Sequence, residues 1–450
     1  MKTLIHNAVI VNEGQRFRGA VLLEEDRIAD IIRDEDSISP HLSSDVRCVD
    51  ADGALLLPGI IDTHVHFREP GMTHKADIDH ESRAALAGGV TSVMDMPNVN
   101  PPTISLERWY ERMDLGKRES RNNYAYYIAP AQPLQEEDIL ALAKGKETGV
   151  PALKVFMGSS TGNMLIDNRE TLLRIFRTAA EYDIPIVTHC EDTPRINQRM
   201  AEARQRWGDD PDVSYHPWIR DAEACYRSSA LAVELAKETG ARLHIAHITT
   251  ERELELLEKE SRITAEVCIP HLLFCDEDYP KLGTRLKCNP AVKTRRDRDA
   301  LRRALADGRL LIVATDHAPH LLSEKEGGCA RAASGIPMVQ FSLVAMLGLV
   351  DEGVLTTERM VDAMCHQPAR LFQIPDRGFL RRGYKADIVL VKPESWTLTK
   401  SEILSKCGWS PLEGHTFSWR VQQTYLNGHL AYDHGRINDT IRGESLFAQY

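Results

Sequence analysis

Several things are scarce or missing in this sequence, and each gap excludes something. Its 450 residues hold no apolar run near the length of about 18 that a membrane-crossing helix needs. The opening MKTLIHNAVIVNEG has no apolar leader core, so neither secretion nor membrane insertion is expected, and a cytoplasmic protein is. Lys and Arg number 55 against 66 Asp and Glu, a net charge of -11, with no long basic run; a dedicated nucleic-acid binder is not expected. The nine cysteines are odd in number, scattered and never spaced Cys-x-x-Cys, which fits a reducing compartment better than a disulfide framework. No Gly-x-Ser-x-Gly elbow supports a serine hydrolase, and no Gly-Lys-Ser/Thr supports a nucleotide phosphate loop. Gly88-Gly89 is read as a turn, and Gly158-Ser159-Ser160-Thr161-Gly162 as a loop shaping a pocket.

What remains is an ordinary globular balance, 42% apolar and 27% charged, in a chain long enough to bury a large core. Residues 1–54 read as short strands with turn residues between them, too small a unit to bury much alone. From residue 55 apolar runs alternate with amphipathic stretches. The runs are 56–64, 90–96, 124–129, 152–156, 184–189, 243–248, 263–269 and 310–314, mostly continuous as in strands buried on both faces. Leu172, Ile175, Phe176 and Ala179 make one helical stripe, with Asp167 and Glu170 as a capping pair. Ala300, Leu301, Ala304 and Leu305 make another, ending near Gly308. Eight such units predict an α/β fold, a (β/α)8 TIM barrel over 55–368, against a doubly wound sheet as the alternative. Residues 190–242 form a long insertion that either sits over the barrel mouth or is a passive excursion. Residues 369–450 turn to strands again, with Asn427-Gly428 as a hairpin turn; they are expected to complete the 1–54 block as a flanking β-sandwich built from both chain ends.

The chemistry gathers at the ends of the predicted strands, where barrel enzymes carry their active sites. His64 and His66 alternate out of the first strand toward one face and could grip one metal, or be two chance histidines among 17. His189, His247 and Asp316 arrive at the same rim. Five ligands crowd one ion, whereas two ions about 3.5–4 Å apart could share them with a bridging anion. Lys154 lies in an apolar strand, where it must lose or pair its charge. Either carbon dioxide converts it to an anionic carbamate able to bridge two metals, or it snorkels to the mouth as an ordinary cation.

Taken together, the motifs resemble the amidohydrolase superfamily and, within it, the dihydroorotase family of the long, type I-like form; allantoinases and hydantoinases are close relatives. The resemblance spans roughly residues 1 to 445. It is carried by Pro58-Gly59-Ile60-Ile61-Asp62-Thr63-His64-Val65-His66-Phe67-Arg68-Glu69-Pro70-Gly71, Asp95-Met96-Pro97-Asn98, Lys154-Val155-Phe156-Met157 and Thr188-His189-Cys190-Glu191. It continues in His244-Ile245-Ala246-His247-Ile248, Asn289-Pro290 and Thr315-Asp316-His317-Ala318-Pro319-His320. It implies two divalent cations, with zinc the expected ion: His64, His66 and Asp316 on one, His189 and His247 on the other, and Lys154 as an N6-carboxylysine bridging both. It implies that Arg68, Asn98 and His320 hold a substrate carboxylate, with Asn289 near the ring and Asp316 moving the proton. A planar guanidinium at Arg68 suits a carboxylate, which allantoin and simple hydantoins lack; a salt bridge to Glu69 is the alternative for Arg68, and a turn residue that for Asn98. The implied activity is the interconversion of N-carbamoyl-L-aspartate and (S)-dihydroorotate plus water in de novo pyrimidine biosynthesis, by attack of a hydroxide held between the metals, in a homodimer acting on a small molecule. The sequence departs from the family pattern at Ile269-Pro270-His271-Leu272, with one His where two are frequent, and at Gly335-Ile336-Pro337-Met338-Val339-Gln340. Both touch the pocket wall and leave room for an allantoinase or hydantoinase. A metal-free scaffold homologue is the reading from a different class.

Overall fold

The computed structural model describes residues 2–33, 46–130, 149–158, 164–258 and 262–447. The loop expected at 158–162 falls largely outside them. The chain begins with β1 (Lys2–Asn12), β2 (Gln15–Glu24), β3 (Arg27–Ile32), β4 (Val46–Asp50) and β5 (Leu55–Pro58). Eight parallel strands follow: β6 (Ile60–Val65), β7 (Val90–Asp95), β8 (Asn123–Tyr126), β9 (Leu153–Phe156), β10 (Ile186–His189), β11 (Leu243–Ile245), β12 (Ile263–Cys268) and β13 (Ile312–Ala314). The chain closes with β14 (Ile388–Thr397), β15 (Thr416–Leu426), β16 (His429–Asp433) and β17 (Arg436–Ile437).

Strands β6 to β8 and β9 to β13 each pair in sequence order. A parallel bridge between Ile128 and Leu153 joins the two groups, reinforced by Lys154 N–H on the Ile128 carbonyl at 2.8 Å. A second bridge, Val65 to His317, closes the ring, with His66 N–H on the His317 carbonyl at 2.8 Å. The molecule is therefore an α/β barrel, and each of the eight strands overlaps one of the apolar runs, β6 and β8 passing theirs by one residue. Each run is buried on both faces because side chains fill the barrel on one side and meet helices on the other. Helix Arg169–Glu181 buries Leu172, Ile175, Phe176 and Ala179, and helix Arg295–Ala306 buries Ala300, Leu301, Ala304 and Leu305, the two stripes in full. One cap differs from expectation. Asn168, not Asp167, caps the first helix, its side chain accepting from the N–H groups of Glu170 and Thr171. An Asn amide oxygen serves a cap as well as a carboxylate does, so the choice between neighbours is set by register alone.

The terminal strands form a flanking β-sandwich domain with the pairing order β17-β16-β15-β14-β5-β1-β2-β3, β4 lying on β1. Its core joins both chain ends: Ile5, Ile10, Val21 and Leu56 pack with Ile388, Leu390 and Tyr425. Each such fully buried side chain contributes about 1.5–3 kcal/mol. The Asn427-Gly428 hairpin is present, with φ of 48° and 79°.

The run 56–64 is not one strand. Leu55–Pro58 pairs with β1 and β14 in the sandwich, and the barrel starts only at Ile60. Gly59 is the joint: its N–H donates to the Asp387 carbonyl at 2.8 Å, and a Cβ there would meet Thr91 Oγ1 at 2.2 Å. A continuous apolar run cannot reveal that break, because both halves are equally buried. Among the described residues no helix is long and apolar enough to cross a membrane.

Candidate active site

The C-terminal rim of the barrel brings His64, His66, Arg68, Asn98, Lys154, His189, His247, Asn289, Asp316 and His320 around one cavity of about 380 Å³. All ten positions singled out in the sequence line it. His64 and His66 leave the end of β6 on one face, as the two-residue period requires. Asp316 follows β13, and its Oδ1 lies 3.3 Å from His64 Nε2 and 2.9 Å from His66 Nε2. These three residues form a compact group of candidate metal-ligating atoms, and His64 with Glu266 and Cys268 forms a second, overlapping one.

Hydrogen bonds on the far edge of each ring decide what the near edge can do. His64 Nδ1 lies 2.5 Å from Glu266 Oε1, and His66 Nδ1 lies 2.8 Å from Asn98 Oδ1. Each partner is an oxygen that accepts, so each Nδ1 carries the proton and each Nε2 presents a lone pair to Asp316. Burial lowers the His66 pKa to about 4 despite Asp316 beside it, which keeps the ring neutral. Burial raises the Asp316 carboxyl, and the neighbouring imidazoles, when they carry a proton toward it, bring it down to about 2. Two imidazole lone pairs thus converge on an ionised carboxylate. Three acceptors aimed at one point call for a cation between them, and a divalent metal fits.

The other side of the rim repeats the pattern. His189 Nδ1 and His247 Nε2 face each other at 3.0 Å, and the His247 ring centroid is 5.3 Å from that of His64. His189 Nε2 is braced at 2.9 Å by Glu191, itself clamped by Arg220. Burial pushes the pKa of both imidazoles down, favouring the neutral, ligating form. Lys154 lies between the two groups, 1% exposed, and its Nζ has no hydrogen-bond partner among the described residues. Burial lowers its pKa too, against the opposing pull of the Glu266 and Asp316 carboxylates, and no acceptor among the described residues takes a hydrogen bond from it. It does not snorkel to the mouth. An orphaned buried amine beside two clusters of acceptors fits a bridging carbamate and fits a plain ammonium poorly.

The opposite end of the cavity is cationic. Arg68 is buried, its Nε on the Pro319 carbonyl at 3.2 Å and its Nη2 3.2 Å from His320 Nε2. Glu69 does not pair with it; its carboxylate accepts the Ile78 N–H at 3.0 Å. Asn98 is split between the two ends: its Oδ1 orients His66, and its side chain lines the cavity. Asn289 Oδ1 lies 3.1 Å from His216 Nε2. Arg68, His247 and Asp316 all have left-handed backbone, with φ of 67°, 39° and 48°. Such conformations cost about 1–3 kcal/mol each in non-glycine residues and persist where the surroundings demand them.

Four contributors were not singled out from the sequence. Glu266 is buried in β12 and braces His64, His244 at 3.3 Å and the His247 N–H at 3.4 Å. A lone carboxylate in the apolar run Ile-Thr-Ala-Glu-Val-Cys was the signal available. Glu191 lies two residues past His189. Lys75 lines the cavity beside His320. Asp210, in the 190–242 insertion, accepts the N–H groups of Gly328, Ala330 and Arg331 at 2.8, 2.9 and 3.1 Å, fastening the loop that continues into the cavity wall at Ala333, Ser334 and Gly335. The insertion therefore serves the mouth and is not a passive excursion.

The amidohydrolase family profile matches residues 55–431. The chain belongs to the amidohydrolase family. Among curated relatives, a dihydroorotase of Halobacterium salinarum is 34% identical over 426 residues, covering 93% of this chain and 96% of that protein. An allantoinase of Bacillus velezensis is 30% identical over 440 residues, covering 96% and 94%. The solved L-hydantoinase (dihydropyrimidinase) from Arthrobacter aurescens superposes with a TM-score of 0.90 at 23% identity, covering 97% of each chain. This amidohydrolase is a member of the dihydroorotase-like, cyclic-amide-hydrolysing branch.

Proposed function

We propose that this amidohydrolase interconverts (S)-dihydroorotate plus water with N-carbamoyl-L-aspartate. The observation that carries the reading is the two-ended cavity, with metal-ligating acceptors at one end and the Arg68 guanidinium at the other. Dihydroorotate has the matching pair of groups, a hydrolysable ring amide and a carboxylate across the ring. In this reading His64, His66 and Asp316 hold one divalent cation and His189 and His247 the other, with zinc the natural choice for a borderline His/carboxylate set. Lys154, once its neutral amine has attacked carbon dioxide with formation of a C–N bond and loss of one proton, would add a carbamate to the residues that hold them. When bound, such cations would supply Lewis acidity, polarising a carbonyl and lowering the pKa of water.

The chain's own residues do the rest. The ionised Asp316 accepts a proton from the attacking water and delivers it to the departing ring nitrogen. In the synthetic direction it takes the proton from the attacking carbamoyl nitrogen and returns it to the oxygen that leaves as water. Glu266 and Asn98 keep His64 and His66 in the ligating tautomer. Arg68, His320 and Asn98 bind the carboxylate and fix the ring amide in line with the reacting water. The relatives named dihydroorotase support this reading.

Allantoinase or hydantoinase activity is the second reading, favoured by the allantoinase relative and by the hydantoinase folds. Side-by-side assays of the metal-loaded enzyme on N-carbamoyl-L-aspartate, dihydroorotate, allantoin and hydantoin separate the two. Turnover of allantoin or hydantoin without turnover of dihydroorotate overturns the first reading.

A further inference from the structure

His320 is held between two cations. Its Nε2 lies 3.2 Å from Arg68 Nη2, and its Nδ1 lies 3.2 Å from Lys75 Nζ. Guanidinium and ammonium groups have donors only, whereas a neutral imidazole has one donor and one acceptor. Burial and the charges of Arg68 and Lys75 push the His320 pKa far down, so the ring is neutral. It can accept from only one of these neighbours, and its single N–H also has the Ser334 backbone carbonyl within reach.

The fixed neighbour is Lys75. Its ammonium is buried and anchored on Glu324 Oε1 at 3.1 Å, and Glu324 is in turn held by the Leu321 N–H on Oε2 at 2.8 Å. We propose that Lys75 is a positioning residue of the substrate pocket: it holds Nδ1 of His320 as an acceptor, so that Nε2–H of His320 and the Arg68 guanidinium face a single anionic group together. With Nδ1 so occupied, two N–H donors meet edge to edge at 3.2 Å. An oxygen anion seated against both would accept from the two donors at once. Glu324 pairs with Lys75, and Arg68 has no carboxylate in hydrogen-bond contact among the described residues, so its guanidinium is open to a substrate carboxylate. The substrate named here rests on the dihydroorotate reading; the tautomer rests on the contacts alone. The rival tautomer puts the proton on Nδ1, 3.5 Å from Glu324 Oε2, and leaves Nε2 unable to donate.

The test reads the tautomer and the kinetics separately. In zinc-loaded protein carrying 15N-histidine, with His320 assigned through His320→Asn, the wild type is expected to show Nε2 protonated. Lys75→Met is expected to move the proton to Nδ1, and Lys75→Arg to keep it on Nε2. Lys75→Met should raise KM for N-carbamoyl-L-aspartate about tenfold while kcat stays within about threefold and metal content is unchanged, and Lys75→Arg should recover most of the KM. Should Lys75→Met fail to fold, Glu324→Gln, which loosens the same ammonium, must shift the tautomer and KM in the same direction. A wild type protonated at Nδ1, or substitutions that leave tautomer and KM unmoved, overturns the proposal. So does a loss of kcat and metal at constant KM, the mark of a merely structural lysine. If the tautomer is as expected but neither N-carbamoyl-L-aspartate nor dihydroorotate is turned over, the substrate reading falls and the role of Lys75 stands.

Discussion

The two ends of the cavity are built in opposite senses. At one end His64, His66, Asp316, His189 and His247 point lone pairs and a carboxylate inward, each imidazole but His247 braced from behind by an oxygen acceptor. At the other, Arg68, Lys75 and His320 crowd donors together. The first end suits a cation and the second an anion. They also differ in their supports. His64, Lys154 and His189 stand on barrel strands and His66, His247 and Asp316 within two residues of a strand end, while Arg68, Lys75 and His320 stand on loops farther beyond. Strands tolerate less displacement than loops, so damage at the acceptor end should abolish the reaction, and damage at the donor end should weaken and misplace the substrate.

The sharpest break in that contrast is Lys154→Ala. Removing the bridging group should drop metal content measured by elemental analysis from about two ions toward one or none, and turnover by roughly a thousandfold or more. Two retained metals at full occupancy would end the bridging role. Next comes Glu266→Gln. The amide keeps the shape of the brace but loses the charge that pins the His64 tautomer, and outer-shell changes of this kind typically cost about 10–100-fold in metal affinity or rate. Competition with a chelator reads the affinity directly, and an unchanged metal dissociation constant would show that Glu266 only fills space.

At the donor end, Arg68→Met should leave metal content intact. It removes a charged, bidentate partner from a buried site, a loss of about 2–4 kcal/mol, which is roughly 30- to 1,000-fold in kcat/KM for N-carbamoyl-L-aspartate. The same substitution should do far less to any activity on a ring without a carboxylate. Equal losses on both kinds of ring would mean that Arg68 supports the wall and does not read the substrate.

The acceptor end is the more legible of the two in the sequence, for a physical reason. A parallel barrel writes its strands as apolar runs and places function at their ends, so His64, His66, His189, His247 and Asp316 stand out as polar residues at predictable places. Lys154 stands out more strongly, as a charge inside a run. Glu266 carries the same kind of signal in β12, but a single carboxylate can be read as a surface residue until the ring of eight is closed around it. Lys75 has no such signal. It lies between strand and helix, where charged residues are ordinary, and only the approach of His320, 245 residues away in sequence and brought alongside by closure of the barrel, gives it meaning. The Gly59 joint is hidden for the opposite reason, since two sheets buried alike share one uninterrupted apolar stretch.

The loop at 327–335 supplies the mildest test of the contrast, because it walls the cavity without supplying any of the groups assigned a chemical role above. Its fastening, Asp210, is largely buried; burial would raise its carboxyl, but the Arg331 guanidinium and the three loop N–H groups outweigh that and hold it at about 2. A carboxylate whose pKa is depressed on folding stabilises the fold at pH above its unfolded value, and that stabilisation fades as the pH falls toward the folded value. Asp210→Asn keeps a hydrogen-bond acceptor for one loop N–H but loses the charge facing Arg331. It should cost about 1–2 kcal/mol near neutral pH, a shift of a few degrees or less in Tm. The gap between wild type and variant should close as the pH drops from about 4 toward 2. Metal content should not move, and kcat/KM should fall by only a few-fold, through a looser wall at Ala333 to Gly335. A large loss of metal in Asp210→Asn would show that the insertion and the acceptor end are one mechanical unit, and that strand-borne rigidity is not what protects the metals.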